Sequence, residues 1–172
     1  TTMDHMFWYD RALKEIPLYN TSNVTDMSFM CQYCTSLTEF PQLDTSNVTN
    51  MNNMFAYNYG IVTIPELNAQ NVTIIGSFII ETMEMQLTNF GGLKDLGKAY
   101  LTTSAENYVR YTLDLSGCKK LTHDSLMNVI NNLYDIKSKG CKNQKLILGS
   151  TNLAKLTEEE IAIATNKGWN VS

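Results

Sequence analysis

The side chains that could do chemistry are few and scattered. Cys31 and Cys34 form one C-x-x-C pair, the spacing of a redox dithiol or of half a zinc site. A structural zinc needs about four well-placed ligands, and the chain has no second C-x-x-C. Cys34 stands three residues before Leu37, and Cys118 three before Leu121. That recurrence suits small thiols buried at turns. Cys118 and Cys141 are expected to stay unbridged, since aligning Leu113 with Leu146 puts the thiols at opposite strand ends. The two histidines, His5 and His123, have no Ser or Cys motif beside them. His123 reads as a helix-start residue and His5 as a surface residue. Glu158, Glu159 and Glu160 could face a cation, but three acids in a first helical turn more simply complement the helix dipole. No G-x-S-x-G elbow, P-loop, G-x-G-x-x-G or H-E-x-x-H occurs. The expectation is a protein that is not an enzyme and that uses no metal or cofactor.

Two polar features recur with regular spacing. Asn23, Asn47 and Asn71 each open an N-V-T sequon, and Asn20 and Asn170 open two more. Such asparagines are glycan acceptors or, at this spacing, a stacked ladder bonding turn backbone, and the ladder is favoured. Tyr9, Tyr33 and Tyr57 form a second column, flanked by Trp8 and Tyr59. Tyrosine packs its ring and keeps its hydroxyl wet. These five residues are either a partner-binding strip or a partly buried spine. Glu15 and Glu39 form a competing column.

The elements that position these residues follow from a 24-residue repeat. Met3, Met27, Met51 and Ile75 share a column, as do Met6, Met30, Met54 and Phe78, and Phe7, Cys31, Phe55 and Ile79. Leu13, Leu37 and Ile61 form another, and so do Ile16, Phe40 and Ile64. The three prolines, Pro17, Pro41 and Pro65, also coincide, as do Val24, Val48 and Val72. Apolar residues that return once per unit are the mark of a stacked repeat, whose units bury their faces against one another. Leu37 to Pro41 reads as a short strand ended by proline, and Asp44 to Thr49 as a turn. Met51, Met54 and Phe55 have the spacing of one helical turn, leaving Asn52 and Asn53 exposed. Leu87-x-x-Phe90-Gly91-Gly92-Leu93 restores the frame with two extra residues, and Gly97 to Arg110 reads as an irregular transition.

The C-terminal part follows other rules. Leu113-Asp114-Leu115 and Leu146-Ile147-Leu148 read as strands, and Asp124 to Tyr134 as an amphipathic helix capped near Thr122 or His123. Thr157 and Glu160 make a capping box that opens a second helix, ended at Lys167-Gly168. Trp169 to Val171 is a last extended piece. The expected fold is an α/β solenoid: right-handed turns with a leucine-rich-repeat-like parallel sheet over residues 1–96, closed by a β-α-β-α capping module over 97–172. Thr1-Thr2-Met3 begins inside a unit, so continuation upstream is expected.

Composition narrows the partners. The chain has 172 residues, a net charge of −4 and only 17% charged residues. Its pI near 5.1 argues against a nucleic-acid surface. Apolar runs of a few residues fall far short of the ~20 that a membrane helix needs. Polarity carried by Thr, Asn, Ser and Tyr suits a secreted or cell-surface protein.

The phrases Asp44-Thr45-Ser46 and Asn47-Val48-Thr49-Asn50-Met51-Asn52-Asn53-Met54-Phe55 resemble the BspA-type leucine-rich repeats of bacterial surface proteins. The tail from Leu113 to Trp169 looks like the terminal module that often follows those repeats in gut bacteria and their phages. Proline in the strand column departs from the pattern. The resemblance implies an extracellular or surface-displayed adhesion or interaction module, with a protein or glycan ligand. A structural tail-fibre or decoration domain of a phage virion and a carbohydrate-binding module are the alternatives.

Overall fold

The computed structural model describes residues 1–79, 85–99, 111–140 and 144–172. In the first part, the repeat spacing appears directly as hydrogen bonding. Thr2, Asp26, Asn50 and Ile74 pair in series as parallel bridges. The Thr25 amide donates to the Thr1 carbonyl at 2.9 Å, Thr49 to Thr25 at 2.8 Å and Thr73 to Thr49 at 2.8 Å. Each unit therefore lies beside the next, one repeat out of phase.

A second line of contact runs through the apolar segments, although Leu37 to Pro41, expected as a strand, makes only one isolated bridge. Glu39 bridges Thr63, and the Val62 amide donates to Thr38 O at 2.7 Å, so the Leu37 and Ile61 segments are adjacent. β1 (Thr63–Ile64) then pairs in parallel with β3 (Asn89–Phe90), and β2 (Leu67–Asn68) with β4 (Leu93–Lys94). These pairings are offset by two residues more than the earlier ones, matching the insertion seen in the sequence. β1 stops before Pro65, which has no N–H to give. The return to strand pairing at β2, just past the proline, is not expected from the turn-rich sequence. Gly91 takes the proline column in the next unit, where a Cβ would come within 2.2 Å of the Glu66 amide nitrogen.

One expectation is corrected here. The Met–Phe segments are not helical turns. The amides of Met27, Phe29, Cys31 and Tyr33 donate to Asn50, Asn52, Met54 and Ala56 of the next unit, at 3.0, 2.9, 3.1 and 3.1 Å. The amides between them, Met30, Gln32 and Cys34, bond back three residues. Phe29 and Tyr33 have positive φ, which interrupts any α-helix. The segment is a chain of tight turns that spends every second N–H on its neighbour. It buries Met27, Met30 and Cys31 on the same side as a helical turn would, so side-chain spacing alone does not separate the two. Asn52 and Asn53, expected to be exposed, are half-buried, because adjoining units cover their flanks.

The interior is continuous. Met51, Met54, Phe55, Leu37 and Ile61 are fully buried, and the Phe55 ring meets Phe40 at 4.8 Å and Phe78 at 5.3 Å, both edge to face. The tail adds a three-stranded parallel sheet, β5 (Thr112–Asp114), β6 (Lys145–Ile147) and β7 (Asn170–Val171), in that order. α1 (His123–Asn132) packs on β3, β4 and α3 (Glu158–Asn166). Thr122 caps α1, and the Thr157–Glu160 box opens α3. The short α2 (Gly149–Leu153) is not expected from the sequence. The tail prolongs the stack through the Leu96–Leu133 bridge and through the Thr122 amide, which donates to Thr88 O at 3.1 Å. Cys141, and the Gly97–Arg110 transition from Tyr100 onward, lie outside the described residues.

Candidate functional site: an aromatic face

The chain of turns decides where the tyrosines go. Tyr9, Tyr33 and Tyr57 have φ of 64°, 64° and 63°, the left-handed region in which a bulky side chain is an outlier. Their backbones are held there by the lateral ladder: the Tyr9 amide donates to Gln32 O at 2.9 Å and the Tyr33 amide to Ala56 O at 3.1 Å. The rings consequently stack. Tyr9 and Tyr33 centroids are 4.5 Å apart, and Tyr33 and Tyr57 are 4.4 Å apart with planes 7° from parallel. Both faces of Tyr33 are thus covered by its neighbours, and what it shows to solvent is its edge and hydroxyl. Partial desolvation first, and then the phenols of Tyr57 and Tyr9, raise the Tyr33 pKa, so this hydroxyl keeps its proton at neutral pH.

Trp8 lies across the start of this column. Its ring makes T-shaped contacts with Tyr9 at 5.3 Å and with His5 at 5.5 Å, and its Nε1 donates to Gln32 Oε1 of the next unit at 2.8 Å. Trp8 is 49% and Tyr9 46% exposed, while Tyr33, Tyr57 and Tyr59 are half-buried. The structure brings four of the five strip residues, Trp8, Tyr9, Tyr33 and Tyr57, into one chain of ring contacts. Tyr59 stands beside them, and its carbonyl accepts from the Gln86 amide.

A second ring row was not legible in the sequence. His5 and Phe29 stack at 4.5 Å with planes 14° apart, also at positive φ, as is Asn53 in the same column. The shared column was visible, but its mixed residue types hid the stacking. Arg11 places its guanidinium 4.9 Å over the Tyr9 ring.

The other chemical candidates resolve into local roles. Cys31, Cys34 and Cys118 are buried, and Cys31 and Cys34 form no disulfide. Burial pushes the Cys31 thiol well up, and Cys34 Sγ donates to the Phe7 carbonyl at 3.0 Å. Asn58, in the column of Cys34, repeats that contact by donating to Cys31 O. Among the described residues no cluster of three or more His, Cys, Asp or Glu could hold a metal. Asn47 and Asn71 donate to Ser22 O and Ser46 O of the preceding unit, each at 2.7 Å, which is the ladder arrangement. Glu15 and Glu39 are both exposed. His123 Nε2 sits 2.8 Å from Glu160 Oε1. That hydrogen bond raises the His123 pKa. No helix among the described residues is long and apolar enough to cross a membrane.

No curated protein and no solved structure matches the chain. A family model does match, over residues 1–90, a span that holds the whole aromatic face. The chain belongs to the family described as "Mycoplasma protein of unknown function, DUF285".

Proposed function

We propose that this chain is a non-enzymatic interaction module, displayed outside the cell, that contacts its partner through Trp8, Tyr9, Tyr33, Tyr57 and Tyr59. In this reading residues 1–96 are a leucine-rich-repeat solenoid of the BspA type, and residues 97–172 close it. The observation that carries the proposal is the left-handed backbone at all three column tyrosines. A non-glycine residue there costs about 1–2 kcal/mol, and glycine or asparagine would avoid most of it. Ring stacking returns roughly 0.5–1.5 kcal/mol, so stability alone gives little reason to keep tyrosine at three successive strained positions. Strain held at a surface is a pointer to use. Tyrosine and tryptophan supply rigid amphipathic contact area at low entropy cost and are enriched at binding hot spots.

The test is a screen of the biotinylated chain against arrays of extracellular matrix proteins and glycans, beside a Trp8→Ala/Tyr33→Ala double variant. Binding to at least one arrayed molecule, lost in the variant, is expected. Undiminished binding by the double variant would remove the strip from the account.

A further inference from the structure

We infer that the aromatic face takes a neutral glycan, with Trp8 as the stacking platform and the tyrosine column as a row of hydrogen-bonding hydroxyls. This rests on the reading of the strip as the contact surface and adds the class of ligand.

The ring geometry divides the labour. Tyrosine faces in the column are occupied by one another at 4.5 and 4.4 Å, so a sugar cannot stack on them there. Arg11 stands over the Tyr9 ring at 4.9 Å. Trp8 is different: its plane is turned 79° from His5 and 68° from Tyr9. The Nε1 bond to Gln32 pins the indole across two units. At 49% exposure, about half of the Trp8 surface remains open to a ligand. The negative face of an indole attracts the polarised C–H groups of a hexose ring, which offers a flat apolar face of similar size.

Hydroxyls beside it complete the fit. A phenol O–H both donates and accepts, as a sugar hydroxyl does, so the two match in either orientation. The column offers such groups once per unit, next to a planar platform. An apolar surface with a few placed polar groups is the usual make-up of a small-ligand site.

Charge selects among glycans. The sequence neighbours of Tyr33 and Tyr57 are Gln32, Cys34, Ala56 and Asn58, all uncharged. The charged residues nearest Trp8 in sequence are Asp4, Asp10 and Arg11. A sulfated or uronate chain would lie along neutral groups with a single guanidinium to pair with, while Asp4, held by His5 Nδ1 at 2.7 Å and by Ser28, and Asp10 add negative charge to this segment. Transferring its anions there without partners is unfavourable. A neutral chain meets no such cost.

The experiment is affinity electrophoresis of the chain through gels containing mixed-linkage β-glucan, galactomannan or arabinoxylan, with heparin and polygalacturonate as acidic controls. Soluble oligosaccharides of any retarding polymer are then titrated by tryptophan fluorescence. Trp169 is 1% exposed, so an emission shift reports Trp8. Retardation in at least one neutral gel is expected, weakened at least tenfold by Trp8→Ala and severalfold by Tyr33→Phe, which keeps the ring stack and removes only the hydroxyl. Near-UV circular dichroism checks that both variants keep the fold. No retardation in the three neutral gels, retardation in the acidic gels alone, or an unaffected Trp8→Ala variant overturns the inference. Binding to an arrayed protein that depends on Trp8, without glycan retention, overturns the glycan class and leaves the interaction reading standing. Binding to neither ends both.

Discussion

At the residue scale, two side chains carry sharp expectations. Phe55 is fully buried, with Phe40 and Phe78 edge-on to it in neighbouring units. Phe55→Ala is expected to cost ~3–5 kcal/mol, because a close-packed aromatic cluster cannot collapse into the space. Chemical denaturation measures it, and a loss under ~1 kcal/mol would mean that the ring is not part of the packed interior. His123 is the second case. The hydrogen bond to Glu160, and then its charge, raise the His123 pKa. The Glu160 pKa is lowered, first by the Thr157 backbone and, after opposing desolvation, by His123. The pair's contribution is therefore present while the imidazole is charged and the carboxylate ionised. It is lost as pH rises through the raised His123 pKa, and lost as pH falls through the lowered Glu160 pKa. NMR titration of the His123 ring should show a midpoint above the ordinary ~6.5, falling back toward it in Glu160→Gln. An unchanged midpoint in the variant would dissociate the two groups.

At the element scale, the turn chain and the tail differ in how far they could be read from sequence. Helix α1, its Thr122 cap, the Thr157–Glu160 box and strands β5 and β6 were legible, because capping residues and apolar spacing there each have one structural solution. The Met–Phe segments were not, because Met27, Met30 and Cys31 are buried equally well by a helical turn and by a laterally bonded turn chain. Backbone φ and the lateral hydrogen bonds distinguish the two, and nothing about Tyr33 as a residue type announces a positive φ. That same fact hid why the tyrosines stack, although their column was plain. The strained position yields a prediction. Tyr33→Asn exchanges a residue that disfavours the left-handed region for one that tolerates it, and forfeits two ring contacts. These effects are each about 1 kcal/mol and opposed, so the change in stability should stay within ~1 kcal/mol. A loss of ~3 kcal/mol would make the column a structural spine. Asn152 stands at the other extreme. It is buried, and the two hydrogens of its side-chain Nδ2 are shared among Leu115 O, Cys118 O and Leu148 O, tying α2 to the loop after β5. Asn152→Ala leaves those carbonyls without this donor, so a destabilisation of at least ~2 kcal/mol is expected by thermal or chemical denaturation.

At the scale of the whole molecule, the stack has a direction. Amides of one unit donate forward to carbonyls of the next along the turn chains, while the threonine column donates backward. Within these 172 residues each inner unit is thus held from two sides and the unit of residues 1–24 from one. The apolar columns register the difference: Met6 is 45% exposed, whereas Met30 and Met54 are fully buried. Where units meet only their neighbours, local stability is the sum of a unit's own terms and its nearest-neighbour interfaces, so in the 172-residue chain taken by itself opening should start at residues 1–24 and propagate inward, an order that a preceding unit would remove. The tail opposes this at the far end, where α1 packs on β3 and β4 and the Trp169 indole donates to Tyr134 O. Equivalent amides give a clean comparison. The Phe7 and Tyr9 amides make the same cross-unit bonds as those of Cys31 and Tyr33, at 2.9 and 2.9 Å against 3.1 and 3.1 Å. Hydrogen-bond length therefore does not favour the inner pair, and any extra protection must come from the second interface. Native-state hydrogen exchange is expected to protect Cys31 and Tyr33 at least ~10-fold more than Phe7 and Tyr9, with the aromatic face softest around Trp8. Equal protection across the two units would mean that the array opens as one cooperative block, with the nearest-neighbour term too strong for its end to fray.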